Sequence, residues 1–145
     1  MTADELAEKI AFDMLGKDAA EAAWGIEIEE VRVGYARIRM RVRRDMLNGH
    51  GSTHGGMTFA LADTAFAYAC NGRNTRTVGA QASMIYLDAA REGDVLVAEA
   101  QEASLVGRNG VYNVAVRTDD GRAIAEFQGY SRSVGGQVIE TGDPE

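Results

Sequence analysis

The sequence predicts an α+β domain, with a curved antiparallel sheet wrapped around one central helix and an extra helix at the N-terminus. Three observations carry this expectation. Apolar residues take helical spacing near the start of the chain. After Gly25 they alternate with period two in a series of short runs. Between two of those runs one segment, His54 to Cys70, is apolar on nearly every side. A helix with no polar stripe is a buried helix, and strands before and after it leave a sheet as the surface that covers it.

Leu6, Ile10, Met14 and Leu15 share one helical face, and Thr2 with Glu5 forms a potential capping box, so residues 1–24 are expected to hold an amphipathic N-terminal helix on the outside of the domain. In "YARIRMRVRR", Ala36, Ile38, Met40 and Val42 alternate with Arg37, Arg39, Arg41 and Arg43. This is a strand with one buried face, and the arginines read as its solvated face rather than as a phosphate-binding stripe. Four more strand-like runs occupy about 78–87, 95–105, 111–117 and 123–134. The turn signals at Glu92-Gly93-Asp94, Gly107 to Gly110 and Asp119-Asp120-Gly121 make them an expected antiparallel meander. The main domain thus spans 25–135, and 136–145 is a polar tail expected to fray.

Composition excludes several functional classes. At 145 residues the chain has the size of one domain, and 46% hydrophobic with 26% charged residues is ordinary for a soluble one. A net charge of −7 and a pI near 4.9 repel nucleic acid and anionic membranes. The first residues carry acids throughout, unlike a signal peptide, and no apolar run reaches the roughly 18 residues of a membrane span. One cysteine, Cys70, precludes an internal disulfide, in keeping with a cytoplasmic location.

The segment "NGHGSTHGGMTFALADTAFAYACN", Asn48 to Asn71, carries the chemistry. Ser52 and Thr53 are good N-caps, so the helix is expected to begin near Thr53. Within it stands Asp63, the only acidic residue between Asp45 and Asp88. Burying it ionised and unpaired is costly, so it requires partners or solvent. It is read either as a functional carboxylate or as a structural acid bonded to a buried backbone group or arginine.

This segment resembles the signature of hotdog-fold acyl-CoA thioesterases of the phenylacetic acid degradation (PaaI) type, and the strand order is similar to that family over about residues 20–135. The resemblance is specific in the helix and its loop and generic elsewhere. It implies a hotdog fold, two chains joined into one continuous sheet, and active sites at the dimer interface. It also implies that Asn48, His54, Gly55 and Asp63 line the site, with Thr77 and Ser83 as candidates for a hydroxyl on the strand after the helix.

The chemistry agrees with that expectation. Thioester hydrolysis needs a donor for the developing oxyanion and a carboxylate to activate water or attack directly. A helix N-terminus offers free amides, and Gly55 has no side chain to block a carbonyl, so its N–H is the expected donor. Eight residues of helix place Gly55 roughly 12 Å from Asp63. Two such helices packed antiparallel about a two-fold axis would bring Asp63 of one to the N-terminus of the other. Arg108, in the turn "VGRNG", is the first candidate for the phosphates of coenzyme A, with Arg73, Arg76 and Arg91 behind it. Met57, Phe59, Phe66, Tyr68 and Tyr86 are candidates for lining an aromatic or medium-chain acyl pocket. The resemblance favours aryl-acetyl or hydroxylated aryl groups.

Bland alternatives stand beside these assignments: an Asx turn for Asn48, a capping role for His54 and packing for Cys70. His50 and His54 are too few for a metal site, and no cofactor is expected beyond the coenzyme A of the substrate. The functional expectation is a cytoplasmic acyl-CoA thioesterase acting as a homodimer or dimer of dimers, with no nucleic acid or membrane partner. An acyl-thioester hydratase or dehydratase and a non-catalytic acyl-CoA binding module are the alternatives.

Overall fold

Thr2 opens the first helix, α1 (Ala3–Lys17), with the reciprocal bonds of a capping box. Its hydroxyl accepts the Glu5 N–H at 3.1 Å, and Glu5 accepts the Thr2 N–H at 2.7 Å. The expected single N-terminal helix breaks at Asp18, which ends α1 and caps a second, α2 (Ala19–Trp24), by accepting the Ala20 N–H at 3.1 Å. Gly25, at φ 69°, ends α2 in the left-handed conformation that glycine adopts without steric cost. The structure, a computed structural model, describes residues 1–141.

Six strands come next: β1 (Glu27–Arg32), β2 (Tyr35–Arg41), β3 (Thr77–Tyr86), β4 (Val95–Val106), β5 (Asn109–Thr118) and β6 (Ala123–Ser133). The long helix α3 (Gly55–Cys70) lies between β2 and β3 in the chain. All pairings are antiparallel, in the order β1-β2-β4-β5-β6-β3. The expected meander holds for β4, β5 and β6 only. β3 does not pair with β4, its successor; it pairs with β6 at the far edge, Ala82 opposite Gly129. The turn at 92–94 therefore leads β4 into the gap between β2 and β5 rather than back along β3.

The period-two expectation for β2 holds residue by residue. Ala36, Ile38, Met40 and Val42 are buried, while Arg37 and Arg39 lie beside acids of β1, Arg37 bonding Glu29 at 2.8 Å and Glu30 at 3.2 Å. These arginines are matched by neighbouring carboxylates, as a solvated strand face would be.

Helix α3 packs across β2, β4 and β5. Its inward side centres on Phe66, whose ring tilts against Tyr112 and Phe127 with centroids 5.5 and 5.8 Å apart. Two glycines admit that ring. A Cβ built on Gly129 would stand 2.8 Å from it, and one on Gly79 would stand 3.1 Å away. Phe66 is 1% exposed, so it belongs to the core and does not line an open acyl pocket on the protomer. The tail is held over its first residues: Val138 and Ile139 donate to Asn74 Oδ1, and Asn74 donates back to Ile139 O. The rest of the expected frayed tail, 142–145, lies outside the described residues.

The two sheet edges differ in chemistry. β1 carries three glutamates and an arginine, whereas β3 has no charged residue over ten positions. Val78, Ile85 and Tyr86 of β3 are exposed, as is Leu87 just after it. A long, uncharged edge strand is a template for pairing with another chain.

Candidate active site

The loop before α3 is built by Asn48. Its Oδ1 accepts the N–H groups of His50 and Ser52 at 2.9 and 3.2 Å, and its Nδ2 donates to Ser52 Oγ at 3.0 Å. The side chain thus holds the loop that leads into α3, as in the Asx-turn alternative, while an amide N–H is left without an acceptor among the described residues. Gly51, at φ 79°, completes the turn. Thr53 and His54 are then fixed by backbone bonds to Ala90 and Met46, both 2.8 Å. The helix begins two residues later than Thr53, because Thr53 is bridged to Leu47, with its own hydroxyl buried and unbonded.

His54 is the N-cap. Its Nδ1 accepts the Gly56 N–H at 2.9 Å, which leaves the ring proton of the neutral imidazole on Nε2, facing outward. The cap takes the second amide of the helix and leaves the first: the Gly55 N–H has no acceptor among the described residues. Tyr86, from the end of β3, covers this terminus by donating to Gly55 O at 2.9 Å. Thus His54, Gly55 and Tyr86 meet in one place at the positive end of a helix dipole, where the Gly55 N–H is left as a donor.

Asp63 lies two turns along. The stripe of α3 left uncovered by the sheet runs through Gly56, Ala60, Asp63 and Ala67, small residues with one acid among them, while Phe59 at its border packs on Phe127 of β6. The carboxylate reaches solvent and makes no hydrogen bond or ion pair among the described residues, yet desolvation by its surroundings pushes its pKa up from 3.8. A carboxylate so placed is a better base than one in water.

Beyond the helix end, a cavity of about 370 Å³ is lined by Cys70, Arg73, Thr77, Arg108, Tyr112 and Ser133, among others. Arg73 is already matched, bonding Glu102 through both arms at 2.6 and 3.0 Å, whereas Arg108 stands on the β4–β5 hairpin with no acid partner among the described residues. Thr77 lines this cavity, hydrogen-bonding Thr75 O at 2.8 Å. Ser83 is exposed between Ala82 and Met84, the two neighbours that pack on the core, so it points away from α3. Burial pushes the Cys70 thiol up to about 12, with the Asp63 charge adding to the effect, so it remains an un-ionised packing group. Among the described residues no group of three or more His, Cys, Asp or Glu side chains is gathered to hold a metal, and no helix is long and apolar enough to cross a membrane.

Sequence reasoning missed one feature beside the site. Glu21 of α2 is buried against Thr64, the residue after Asp63, with Oε1 3.0 Å from the hydroxyl. The only signal was a lone acid among the small and aromatic residues of "AAEAAW".

Known proteins resemble this chain in sequence and in fold. A family model described as thioesterase superfamily matches residues 50–125. The acyl-coenzyme A thioesterase PaaI of Escherichia coli is 39% identical over 128 residues, covering 88% of this chain and 91% of that protein. The structure of the E. coli PaaI protein from the phenylacetic acid degradation operon superimposes with a TM-score of 0.92 at 38% identity, over 94% of this chain and 99% of that one. A hypothetical thioesterase of Streptococcus pneumoniae, solved with coenzyme A, superimposes with a TM-score of 0.74 at 26% identity, over 77% and 90%.

Proposed function

The chain belongs to the thioesterase superfamily, and from that premise we infer that it is an acyl-CoA thioesterase, converting an acyl-CoA and water to the free acid and coenzyme A. The observation that carries this reading is the pairing of two unspent groups on one helix, the Gly55 N–H at its start and the Asp63 carboxylate on its open stripe. The amide receives the charge that develops on the thioester oxygen. The carboxylate takes a proton from the attacking water, and the tetrahedral intermediate then expels the thiolate of coenzyme A, which is protonated as it leaves. Water is the only co-reactant and coenzyme A is part of the substrate, so the reaction needs no other cofactor.

Roughly 12 Å of helix separate the two groups, more than one carbonyl spans. The site is therefore completed by a second copy, with Asp63 of one chain facing Gly55 of the other. The uncharged β3 edge and the uncovered stripe of α3 supply a continuous surface for that copy. The protein is expected to sediment as a dimer or a dimer of dimers, and an active monomer would refute the shared site.

The acyl group we propose is aryl-acetyl, as the name of the E. coli relative's operon suggests, with medium-chain acyl groups as the competing class. A panel of purified acyl-CoAs read by free thiol tests both the activity and this preference. Release of thiol from none of them would overturn the thioesterase reading, and a change in enoyl absorbance without thiol release would indicate a hydratase. A buried free thiol and substrates of this kind suit the cytoplasm.

Arg108 is proposed to meet the phosphates of coenzyme A, because it is an exposed cation with no acid partner among the described residues at the rim of the cavity, whereas Arg73 is neutralised by Glu102. Arg108→Ala is expected to raise KM for an acyl-CoA several-fold more than for the matching short pantetheine thioester. Equal effects on the two would remove the phosphate role.

A further inference from the structure

We propose that Glu21 is a positioning residue: a buried neutral acid that clamps the α3 turn bearing Asp63 and loosens that turn when it ionises. The proposal rests on the reading of Asp63 as the catalytic carboxylate.

The Thr64 hydroxyl lies 2.7 Å from Ala60 O and 3.0 Å from Glu21 Oε1, and it has one hydrogen to give. The shorter contact is the usual one for a helical threonine, back to the carbonyl one turn earlier. The contact to Glu21 then needs its hydrogen from the carboxyl group, which makes Glu21 the donor and Thr64 the acceptor. Glu21 is 8% exposed, Thr64 is 4% exposed, and Glu21 Oε2 is buried with no hydrogen-bond partner among the described residues. A carboxylate in this place would have neither a cation nor a second donor, and burial of that kind favours the neutral form.

The neighbouring charged groups do not alter this. On α1, Lys17 is paired with Asp13 at 3.0 Å. Asp18 caps α2 with its own carboxylate. Arg43, from the end of the β2 segment, donates to Ala23 O at 2.8 Å and pairs with Asp45 at 3.0 Å. On α3 the groups are Asp63, of the same sign as an ionised Glu21, and Tyr68, whose phenol is buried and unbonded. None of these makes an ion pair with Glu21. The sign is thereby set: the clamp is complete while Glu21 holds its proton and is lost as pH rises and a charge is forced into the contact.

Thr64 comes directly after Asp63 in the same turn, so the clamp sets the rotation of α3 where its carboxylate projects. A displacement of about 1 Å is enough to cost on the order of a hundredfold in rate. Trp24, the only tryptophan in the chain, sits three residues from Glu21 on α2 and packs against the core, so it reports the docking of α2 independently of catalysis.

The experiment measures kcat, KM and Trp24 emission from about pH 6 to about pH 10, a range that covers buried glutamates titrating near pH 8–9. Wild type, Glu21→Gln and Glu21→Ala are compared. In the wild type, kcat is expected to fall on the alkaline side as Trp24 emission shifts over the same interval. Glu21→Gln keeps a neutral donor to Thr64, so it should hold kcat within about twofold of wild type at neutral pH and abolish both alkaline changes. Glu21→Ala should lower kcat several-fold at every pH with little change in KM. An unchanged alkaline limb and Trp24 shift in Glu21→Gln would overturn the proposal, as would a wild-type emission that does not titrate. Should the wild type release no thiol from any acyl-CoA, the thioesterase reading fails, yet the Trp24 titration and its loss in Glu21→Gln still decide the clamp.

Discussion

Asp63→Asn is expected to lower kcat by roughly a hundred- to ten-thousand-fold, the range for loss of a general base, with KM little changed. Asparagine keeps the shape of the side chain and removes its basicity. Because Asp63 bonds nothing among the described residues, no structural contact is lost with the charge. Two further results separate catalysis from structure. Desolvation raises the Asp63 pKa, so the wild-type activity should be lost on the acid side at a pH above the 3.8 of an ordinary aspartate. The same shift has a stability sign. A carboxyl whose folded pKa is raised stabilises the protein while protonated, and that contribution disappears as pH rises through the folded pKa. At neutral pH the charged Asp63 is thus a burden, and Asp63→Asn should melt no lower than wild type, with any gain shrinking toward acid pH. A variant retaining more than about a tenth of wild-type kcat would end the catalytic assignment.

Mixing two inactive variants should restore about a quarter of wild-type activity. The pair is Asp63→Asn with Gly55→Val, whose side chain crowds the amide where the thioester oxygen binds. A Cβ at Gly55 has Tyr86 as its nearest neighbour, at 3.2 Å, and Tyr86 is 54% exposed, so its side chain can give way at the cost of its bond to Gly55 O and the fold should survive. When the two chains are refolded together, about half of the dimers are mixed. Each mixed dimer contains one site with both defects and one with neither, which gives the quarter. If both groups served their own chain, every site would carry a defect and the mixture would be as inactive as its components. This outcome would refute the shared site even in a protein that sediments as a dimer.

Much of the fold is readable from local chemistry, and the parts that are not depend on distant contacts. The alternation in β2, the capping box at Thr2 and the helix around Asp63 are set by residues within a turn or a few strand positions of one another, so pattern alone locates them. The neighbour of β3 is not locatable in that way. Its turn signals are the same whether the next strand folds back on it or crosses the sheet, and only the pairing of Ala82 with Gly129 distinguishes the two. Similar limits hold at the site. Gly55 and Asp63 stand out as a helix start without a side chain and a lone acid in an apolar helix, and the resemblance is what proposes a role for them. An aromatic residue in an apolar helix has no visible direction in sequence, so Phe66 reads as a pocket residue although it packs inward. Asn48 reads as a site residue, and the bonds by which its side chain also holds a loop five residues long are not marked by its spacing. A glutamate in a short helix is ordinarily solvated, and nothing near Glu21 in the chain marks it as buried, because its burial depends on Thr64, 43 positions away.

The slot that Gly79 and Gly129 leave for the Phe66 ring restricts the order in which this protein can change. Gly129→Ala in the present sequence drives a methyl group to within 2.8 Å of a ring that has no room to retreat, an overpacking that costs about 1–3 kcal/mol. Phe66→Leu alone leaves part of the slot empty and also loses stability. Together the two changes offset each other, the added methyl filling what the ring vacated. Each single substitution is thus harmful where the pair is tolerated, and a lineage moving between the two states passes through a weakened intermediate whichever step comes first. Substitutions at 66, 79 and 129 should therefore be epistatic, and a glycine at 129 should be replaceable only in relatives with a smaller side chain at 66.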